Sequence, residues 1–551
     1  MKITPRPYQI EARRCVLDQW KEVTSTLVCK PVGTGKTILF ALIIEAMRPQ
    51  RAIVIAERTE LIWQARDKIQ RTTGLECGIE MGELSVNNDS LFGAMPVVIS
   101  TIQTQCSAMG DRRRMSRFNP KDFGVMVIDE CHHSTSRSYR DLINYYKSNN
   151  PDIRIVGVTA TPDRADEEAL GQVFETVAFD YEILDAIHDG WLVPVEQQFV
   201  SVGGLDFSQM RTTAGDLNGA DLAQIMESER NMQGVASPSI EIIGDKRALA
   251  FTASVKQAET LSNIFNRHKP GCSEWVCGAT NKDVRKEMLA RFQGGEIQIM
   301  VNCNCLAEGF DDPGVEVILQ ARPTKSRSLY AQQIGRAMRP LPGIVDGPET
   351  PDLRKSAIAG SKKPSCLIVD FVGNSGRHKL MTSADILGGK VSDEAIERAI
   401  IKAKKDGGAV RMSDALDQAD EEIRQEAEER RRAEEARKAR LVAKVNYSAR
   451  SVSPFDMLQI APVKTRGWDN GRTLSEKQKA YLLRQGVNPD TIPYAQGRQL
   501  LTAMFKRMDA KLASLKQLKV LARYGYTDAT MPYDQASKIL DSLARNGWRK
   551  P

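Results

Sequence analysis

No stretch of this sequence approaches the ~18 consecutive apolar residues that a membrane-crossing helix requires, so a membrane role is not expected. The opening residues MKITPRPYQIEARR lack the apolar h-region of a signal peptide. The ten cysteines contain no C-x2-C pair. Cys303 and Cys305 flank a single asparagine and Cys272 and Cys277 stand five apart, neither of which is zinc-ligand spacing. Reduced, mostly buried thiols are the expectation. No residue type dominates the composition, which excludes fibrous and low-complexity classes.

What is present is a soluble globular composition, 41% hydrophobic and 27% charged over 551 residues, too long for one core and pointing to about three domains. The net charge is +7, but it is unevenly placed. From Val445 to Pro551, 18 lysines and arginines face 8 acids, a local +10, so the remainder is slightly acidic. A basic C-terminal region is the footprint of a polyanion partner or of a solvated basic surface.

Short β-branched apolar runs alternate with helical stretches, at Thr26–Cys29, Ala52–Ala56, Val97–Ser100, Val125–Asp129 and Ile153–Val158. A second series follows at Ala248–Thr252, Trp275–Cys277, Ile297–Val301, Val315–Leu319 and Leu367–Asp370. Continuous apolar strands alternating with helices predict parallel sheets covered on both faces, hence two tandem α/β domains. Ser413–Ala443 lacks glycine and proline and places Glu426/Arg430, Glu428/Arg432 and Glu434/Lys438 at i,i+4, which predicts a solvated helical strut. Beyond it, Thr473–Leu501 matches Leu512–Leu540 at an offset of 39 residues. Gln478, Gly486, Pro493, Tyr494 and Gln496 correspond to Gln517, Gly525, Pro532, Tyr533 and Gln535. Each copy reads as a helix stopped by its glycine, a turn, and a second helix opening near Pro-Tyr. Leu482, Leu483, Leu500, Leu501, Leu521 and Leu540 are its expected core. Lys477, Lys479, Arg484, Lys516, Lys519 and Arg523 are its candidate phosphate contacts.

The most specific local signal is Pro31-Val-Gly-Thr-Gly-Lys-Thr37, placed between an apolar strand and a helix. Glycine-turn N–H groups at a helix N-terminus can wrap phosphate. Lys36 would reach the β- and γ-phosphates and Thr37 would hold Mg²⁺. The strict G-x-x-x-x-G-K-[ST] spacing fails, because its first glycine position is Lys30. Val125-Met-Val-Ile-Asp-Glu-Cys-His132 ends an apolar strand in paired carboxylates, placing Asp129 for a metal and Glu130 to polarise water.

With these motifs in this order, the chain resembles superfamily 2 helicases of the DEAD/DEAH-like group, with a DECH variant at Asp129–His132. The resemblance covers roughly residues 1–379. Arg6-Pro-Tyr-Gln9 resembles the upstream glutamine element, which implies nucleotide contacts by Arg6 and adenine recognition by Gln9. By the same resemblance Gly33, Thr34, Gly35, Lys36, Thr37, Gly309 and Asp311 contact ATP, and Thr37 and Asp129 hold Mg²⁺. Ala56–Gln64 and Ser100–Thr104 resemble strand-contacting motifs, which implies Arg58, Ser100 and Thr101, with Thr252 and Ser254 of Phe251–Ser254, as nucleic-acid contacts. Val158–Pro162 resembles the coupling motif, with His132, Thr159 and Thr161 in that role. Gln332–Arg339 resembles the arginine motif, which puts Gln332, Arg336 and Arg339 beside Lys36, Asp129 and Glu130 in catalysis, with Arg339 as the arginine finger.

The implied fold is two RecA-like domains at 1–195 and 238–379 joined by a connector at 196–237. A charged linker at 380–445 and an all-α repeat domain at 446–551 follow. The implied function is ATP-dependent movement on or remodelling of DNA, by unwinding or branch migration, in a bacterial or phage-infected cytoplasm. Replication or recombination proteins are expected partners of the repeats. An RNA helicase, a restriction-complex motor subunit and an ATP-regulated scaffold remain open as alternatives.

Overall fold

The structure, a computed structural model, describes residues 3–57, 59–86, 94–160, 169–213, 215–303, 305–307, 309–375, 378–389, 391–442, 453–469, 471–546 and 548. For Glu60 and residues 432–442 it describes the backbone alone. Two compact units result, one holding residues up to Arg424 and the other chiefly Gln425–Pro551. Among the described residues no helix is long and apolar enough to cross a membrane, and the ten cysteines are free thiols.

The first unit carries two seven-stranded sheets. In the first the edge-to-edge order is Cys77–Glu80, Val97–Thr101, Arg51–Ala56, Phe123–Asp129, Arg154–Thr159, Ser25–Cys29 and Thr176–Asp180, every pairing parallel. The central strands are buried on both faces, which is why their sequences are continuous apolar runs. The strand after Ser25–Cys29 lies elsewhere in the sheet, so the chain reverses direction beside that strand's C-terminal end. Ligands of open parallel sheets bind at such switch points.

The second sheet runs Ser273–Val276, Ile299–Asn302, Ala248–Thr252, Val317–Ala321, Cys366–Asn374, Val195–Asp206 and Val410–Arg411. All neighbours are parallel except the last pair. Here the structure departs from the expected boundaries. The segment 196–237, expected as a connector, contributes the 12-residue strand Val195–Asp206, paired with Cys366–Asn374 from Val195↔Cys366 onward. Its polar sequence VEQQFVSVGGLD hides it, because Gln197 is fully buried yet satisfied by Asp370 and Ser383.

The long helix Met412–Val442 is present as expected, but its first turns are not solvated. Met412, Ala415 and Leu416 are buried in the second lobe's core. Glu426 and Arg430 do form an i,i+4 pair at 3.6 Å.

In the C-terminal unit the two repeats fold alike. Helices Glu476–Arg484 and Leu515–Arg523 both open with a Ser–Gln capping box, Ser475/Gln478 and Ser514/Gln517. Gly486 and Gly525 follow with φ of 71° and 79°, the left-handed turn that favours glycine. Tyr494 and Tyr533 each begin the second helix. Leu482, Leu500, Leu501 and Leu521 are buried, and Leu540 packs against them. Leu483, expected in the core, is 58% exposed, because its neighbour Leu482 already occupies the inward face of a nine-residue helix. Two of the candidate phosphate contacts are otherwise engaged: Lys479 pairs with Glu476 at 3.0 Å and Lys519 donates to the carbonyls of Gln485 and Gly486.

Candidate active site

Strand Ser25–Cys29 delivers the chain to a loop that turns into helix Lys36–Ala46. Gly33 and Gly35 hold φ of 85° and 75°, where a side chain is strained. Both are also pressed from outside. A Cβ on Gly33 would stand 2.9 Å from Cγ of Arg339, and one on Gly35 would stand 2.7 Å from Nε2 of Gln9. The helix N-terminus behind this turn presents unpaired N–H groups and a positive dipole end.

Strand Phe123–Asp129 brings the acid pair to the same place. Lys36 Nζ forms an ion pair with Glu130 Oε1, and Asp129 Oδ1 accepts the Glu130 N–H at 3.1 Å. Glu130 sits at φ 47°, ψ 50°, a left-handed conformation uncommon for a non-glycine residue and typical of functional sites. Its Oε2 is buried and accepts no hydrogen bond among the described residues. His132 Nδ1 lies 3.5 Å from that oxygen and 3.2 Å from Thr159 Oγ1. Burial alone would lower the Lys36 pKa, but the carboxylates of Glu130 and Asp129 outweigh it and raise it. Burial and the neighbouring Glu130 push Asp129 up. Burial would raise Glu130 too, but the Lys36 ammonium outweighs it and brings it down. Burial drives His132 down to about 4, so the ring is neutral.

The second lobe closes the site. Arg336 donates to the carbonyls of Ala307 and Phe310, and Arg339 pairs with Asp311. Gln64 of the first lobe donates to the Gly309 carbonyl at 2.8 Å. A cavity of about 300 Å³ results, lined by Gly33, Gly35, Lys36, Thr37, Lys68, Asp129 and Glu130 from one lobe and by Gly309, Asp311, Arg336 and Arg339 from the other.

The described parts match known family models in the same order. Residues 2–164 match the type III restriction enzyme res subunit, and residues 237–340 match the helicase conserved C-terminal domain. This chain belongs to helicase superfamily 2. Among relatives, a Saccharomyces cerevisiae protein that carries the name ATP-dependent helicase IRC3 is 27% identical over 417 residues, 73% of this chain and 56% of its own length. The chain therefore spans little more than half of that relative. The DNA 3'-5' translocase XPB2 of Sulfurisphaera tokodaii is 23% identical over 61% of this chain and 79% of its own length. The solved structure of the ATP-dependent type ISP restriction-modification enzyme LlaBIII bound to DNA superposes with a TM-score of 0.52 at 16% identity. It covers 99% of this chain and 43% of the LlaBIII chain. That likeness establishes the fold, two RecA-like lobes and a helical C-terminal part.

A superfamily 2 site has to accommodate ATP and Mg²⁺, and the residues here fit both. The glycine turn leads into a helix N-terminus, Lys36 is a largely buried cation, and Glu130 Oε2 accepts no hydrogen bond among the described residues. Among the described residues no cluster of three His, Cys, Asp or Glu side chains could hold a metal. Thr37 and Asp129 would supply two oxygens and leave the rest to phosphate and water, as Mg²⁺ prefers.

Beside the phosphate cavity lies a larger one, about 580 Å³, lined by Arg6, Gln9, Thr34, Trp191, Val345, Asp346, Glu349 and Arg354 among others. Trp191 meets the guanidinium groups of Arg6 at 4.7 Å and Arg354 at 4.0 Å. Arg6 also reaches Asp346 at 3.3 Å. Gln9, expected to read adenine, is committed to the loop: its Oε1 accepts the Arg6 N–H at 2.8 Å, and its Nε2 donates to the carbonyls of Thr34 and Gly35.

Other expected site residues fall elsewhere. Gln332 is buried in helix Arg327–Ile334 and does not line the phosphate cavity. The hydroxyls expected on nucleic acid are turned inward. Ser100 is fully buried and donates to Glu80, Thr101 caps helix Ile102–Cys106, and Thr252 is fully buried and donates to the Asn302 carbonyl. Ser254 caps helix Val255–His268 and donates to Glu227 at 2.5 Å. These side chains shape strand ends and helix starts, which is the local chemistry of Ser and Thr at such positions. Arg58 and Thr161 lie outside the described residues. Lys68, which no motif in the sequence marks, faces the cavity because it stands i+4 from Gln64 and i+7 from Leu61 on helix Thr59–Thr73.

Proposed function

We propose that this chain is an ATP-driven motor on DNA, hydrolysing ATP between its two lobes and converting lobe closure into movement along, or remodelling of, the duplex. The single observation that carries this reading is the composition of the 300 Å³ cavity, with lysine and acid pair on one wall and two arginines on the other. Lys36 grips the β- and γ-phosphates, and in doing so leaves Glu130, whose carboxylate then polarises the attacking water. Thr37 and Asp129 would hold Mg²⁺, which would supply charge neutralisation to the phosphates. Arg339 leaves Asp311 for the γ-phosphate and Arg336 assists it, so turnover requires closure and product release permits opening. His132 and Thr159 carry the change from Glu130 to the adjacent strand, and Gln64–Gly309 registers the two lobes.

DNA as the track is supported by the likeness to a DNA translocase and by the match to the restriction enzyme res subunit family. With the motif hydroxyls turned inward, the grip falls to exposed cations. Lys282 and Lys286 are exposed on helix Lys282–Gln293, along a cleft of about 790 Å³ shared by Leu61 and Gln64 of the first lobe and Gly309–Asp311 of the second. Phosphate contacts of this kind are sequence-independent and salt-sensitive. The deciding experiment compares ATPase rate with single-stranded DNA, duplex, forked DNA, a four-way junction and RNA. Stimulation by DNA forms with none by RNA is the expected result. Stimulation by RNA alone would replace DNA in this reading, and hydrolysis without strand displacement would leave a translocase.

A further inference from the structure

Lys30 stands where the stricter loop spacing has its first glycine, and none of the chemistry above uses it. Its backbone N–H donates to the Thr159 carbonyl at 2.9 Å, which ties it to the end of strand Arg154–Thr159, and its residue is 1% exposed. Its Nζ donates to the Thr34 carbonyl at 3.1 Å and lies 4.7 Å over the Tyr8 ring. Two further donors meet the same carbonyl, Tyr8 Oη at 2.9 Å and Gln9 Nε2 at 3.0 Å. A carbonyl oxygen has two lone pairs, so three donors saturate it and pin the loop residue between Gly33 and Gly35. Among the described residues no carboxylate pairs with the Lys30 amine. The groups around it are Lys36 on the following helix, Arg6 ahead of helix Pro7–Gln19, the phenol of Tyr8, and Tyr181 stacked on Tyr8 at 5.1 Å. Burial, then the positive charges of Lys36 and Arg6, hold its ammonium form well below the ordinary lysine range.

We propose that Lys30 is a positioning residue of the phosphate loop, a buried amine on the Thr34 carbonyl that takes up a proton when nucleotide phosphates bind. The proposal rests on the ATP reading given above. A neutral amine can hold the carbonyl without an uncompensated buried charge. Phosphates cradled by the loop bring negative charge close to it. Through an effective dielectric of about 20, each net charge ~10 Å away raises an amine's pKa by roughly one unit. The proton comes from solvent onto the Nζ lone pair. The ammonium then binds the Thr34 carbonyl and the Tyr8 ring more strongly than the amine did, so the loop tightens on its ligand.

Calorimetric titration of the full chain with Mg²⁺ and a non-hydrolysable ATP analogue, in buffers of different ionisation enthalpy, counts the protons taken up. Asp129 and the phosphates also exchange protons, so the comparison is between variants. The parent should take up about half a proton or more beyond Lys30→Met, and its affinity should fall more steeply as pH rises from 7 to 9. Tyr8→Phe, which removes a neutral donor from the same carbonyl, should keep the parental proton count. Equal counts in the parent and Lys30→Met overturn the proposal, as does a Tyr8→Phe loss as large as that of Lys30→Met. If Lys30→Met does not fold, Lys30→Gln, whose amide can donate to the Thr34 carbonyl but cannot take up a proton, replaces it in the same comparison, and a count equal to the parent's overturns the proposal. Absence of analogue binding by the folded parent would instead overturn the ATP reading.

Discussion

Replacing Asp370 by asparagine changes one buried group beneath helix Arg327–Ile334, which leads into the segment that holds Arg336 and Arg339. Asp370 Oδ2 accepts from Tyr330 Oη at 2.8 Å and from Gln197 Nε2 at 3.1 Å. Gln197 in turn accepts the Ser383 N–H, so the chain of bonds ties helix Arg327–Ile334 to two strands. Burial pushes the carboxyl up to about 7, against the pull of those two donors. The folded state thus keeps a proton that the unfolded chain releases near pH 4. Stability therefore falls as pH rises from about 4 to about 7 and stays low above that. A shift of about three units corresponds to roughly 4 kcal/mol at the ceiling. The asparagine amide cannot ionise and still offers an acceptor to Tyr330, so Asp370→Asn should match the parent near pH 4 and exceed it at pH 8. For a lobe of ~200 residues, where 1 kcal/mol moves the melting midpoint by roughly 2–4 °C, the gap should approach ~10 °C. Thermal unfolding of both proteins at pH 4.5 and pH 8 measures it. Parallel pH profiles would refute the reasoning.

Glu130→Gln should keep nucleotide affinity while turnover falls by ~10²–10⁴-fold, the scale of a lost general base; steady-state ATPase beside analogue binding checks it. Arg339→Ala should lower turnover by on the order of 10³-fold with affinity changed less, in the same pair of assays. Lys36→Ala should weaken nucleotide binding, because the site then loses the buried cation that pairs with Glu130, and equilibrium titration reads this directly. Deleting Gly467–Pro551 should leave nucleotide binding intact, weaken DNA binding and flatten its salt dependence by about 0.9 per phosphate contact. With Lys479 and Lys519 engaged internally, Lys477, Arg484, Lys516 and Arg523 predict a slope change of roughly 3.6. An unchanged slope in a titration of one labelled duplex at several salt concentrations would assign the repeats to a protein partner.

The apolar strands were legible because burial on both faces leaves only one composition open to them. Ser25–Cys29, Phe123–Asp129 and Ala248–Thr252 fall within a residue or two of their expected bounds. The repeats were legible through their caps, since Ser475, Gln478 and Gly486 return at Ser514, Gln517 and Gly525 with the same geometry. Val195–Asp206 was not, because a strand whose buried glutamine is satisfied by a distant aspartate looks polar in isolation. The phosphate loop and acid pair could be read from adjacency along the chain. Gln9 bracing the loop, the inward hydroxyls of Ser100 and Thr252, and Lys68 facing the cavity could not, since each depends on which way a side chain turns in the assembled lobe. A fragment begun at Pro238 would lack Val195–Asp206, baring Cys366–Asn374 as an edge prone to association.

The left-handed backbone at Glu130 sets activity and robustness against each other. A residue held at φ 47° costs of order 1 kcal/mol that glycine would not incur. Glycine there would also leave the Lys36 amine without the carboxylate it pairs with, a larger cost where the pair is mostly out of water. A search that rewards heat resistance alone should therefore keep Glu130 or lose it only together with Lys36, and winners of the second kind should have given up nucleotide as well as strain.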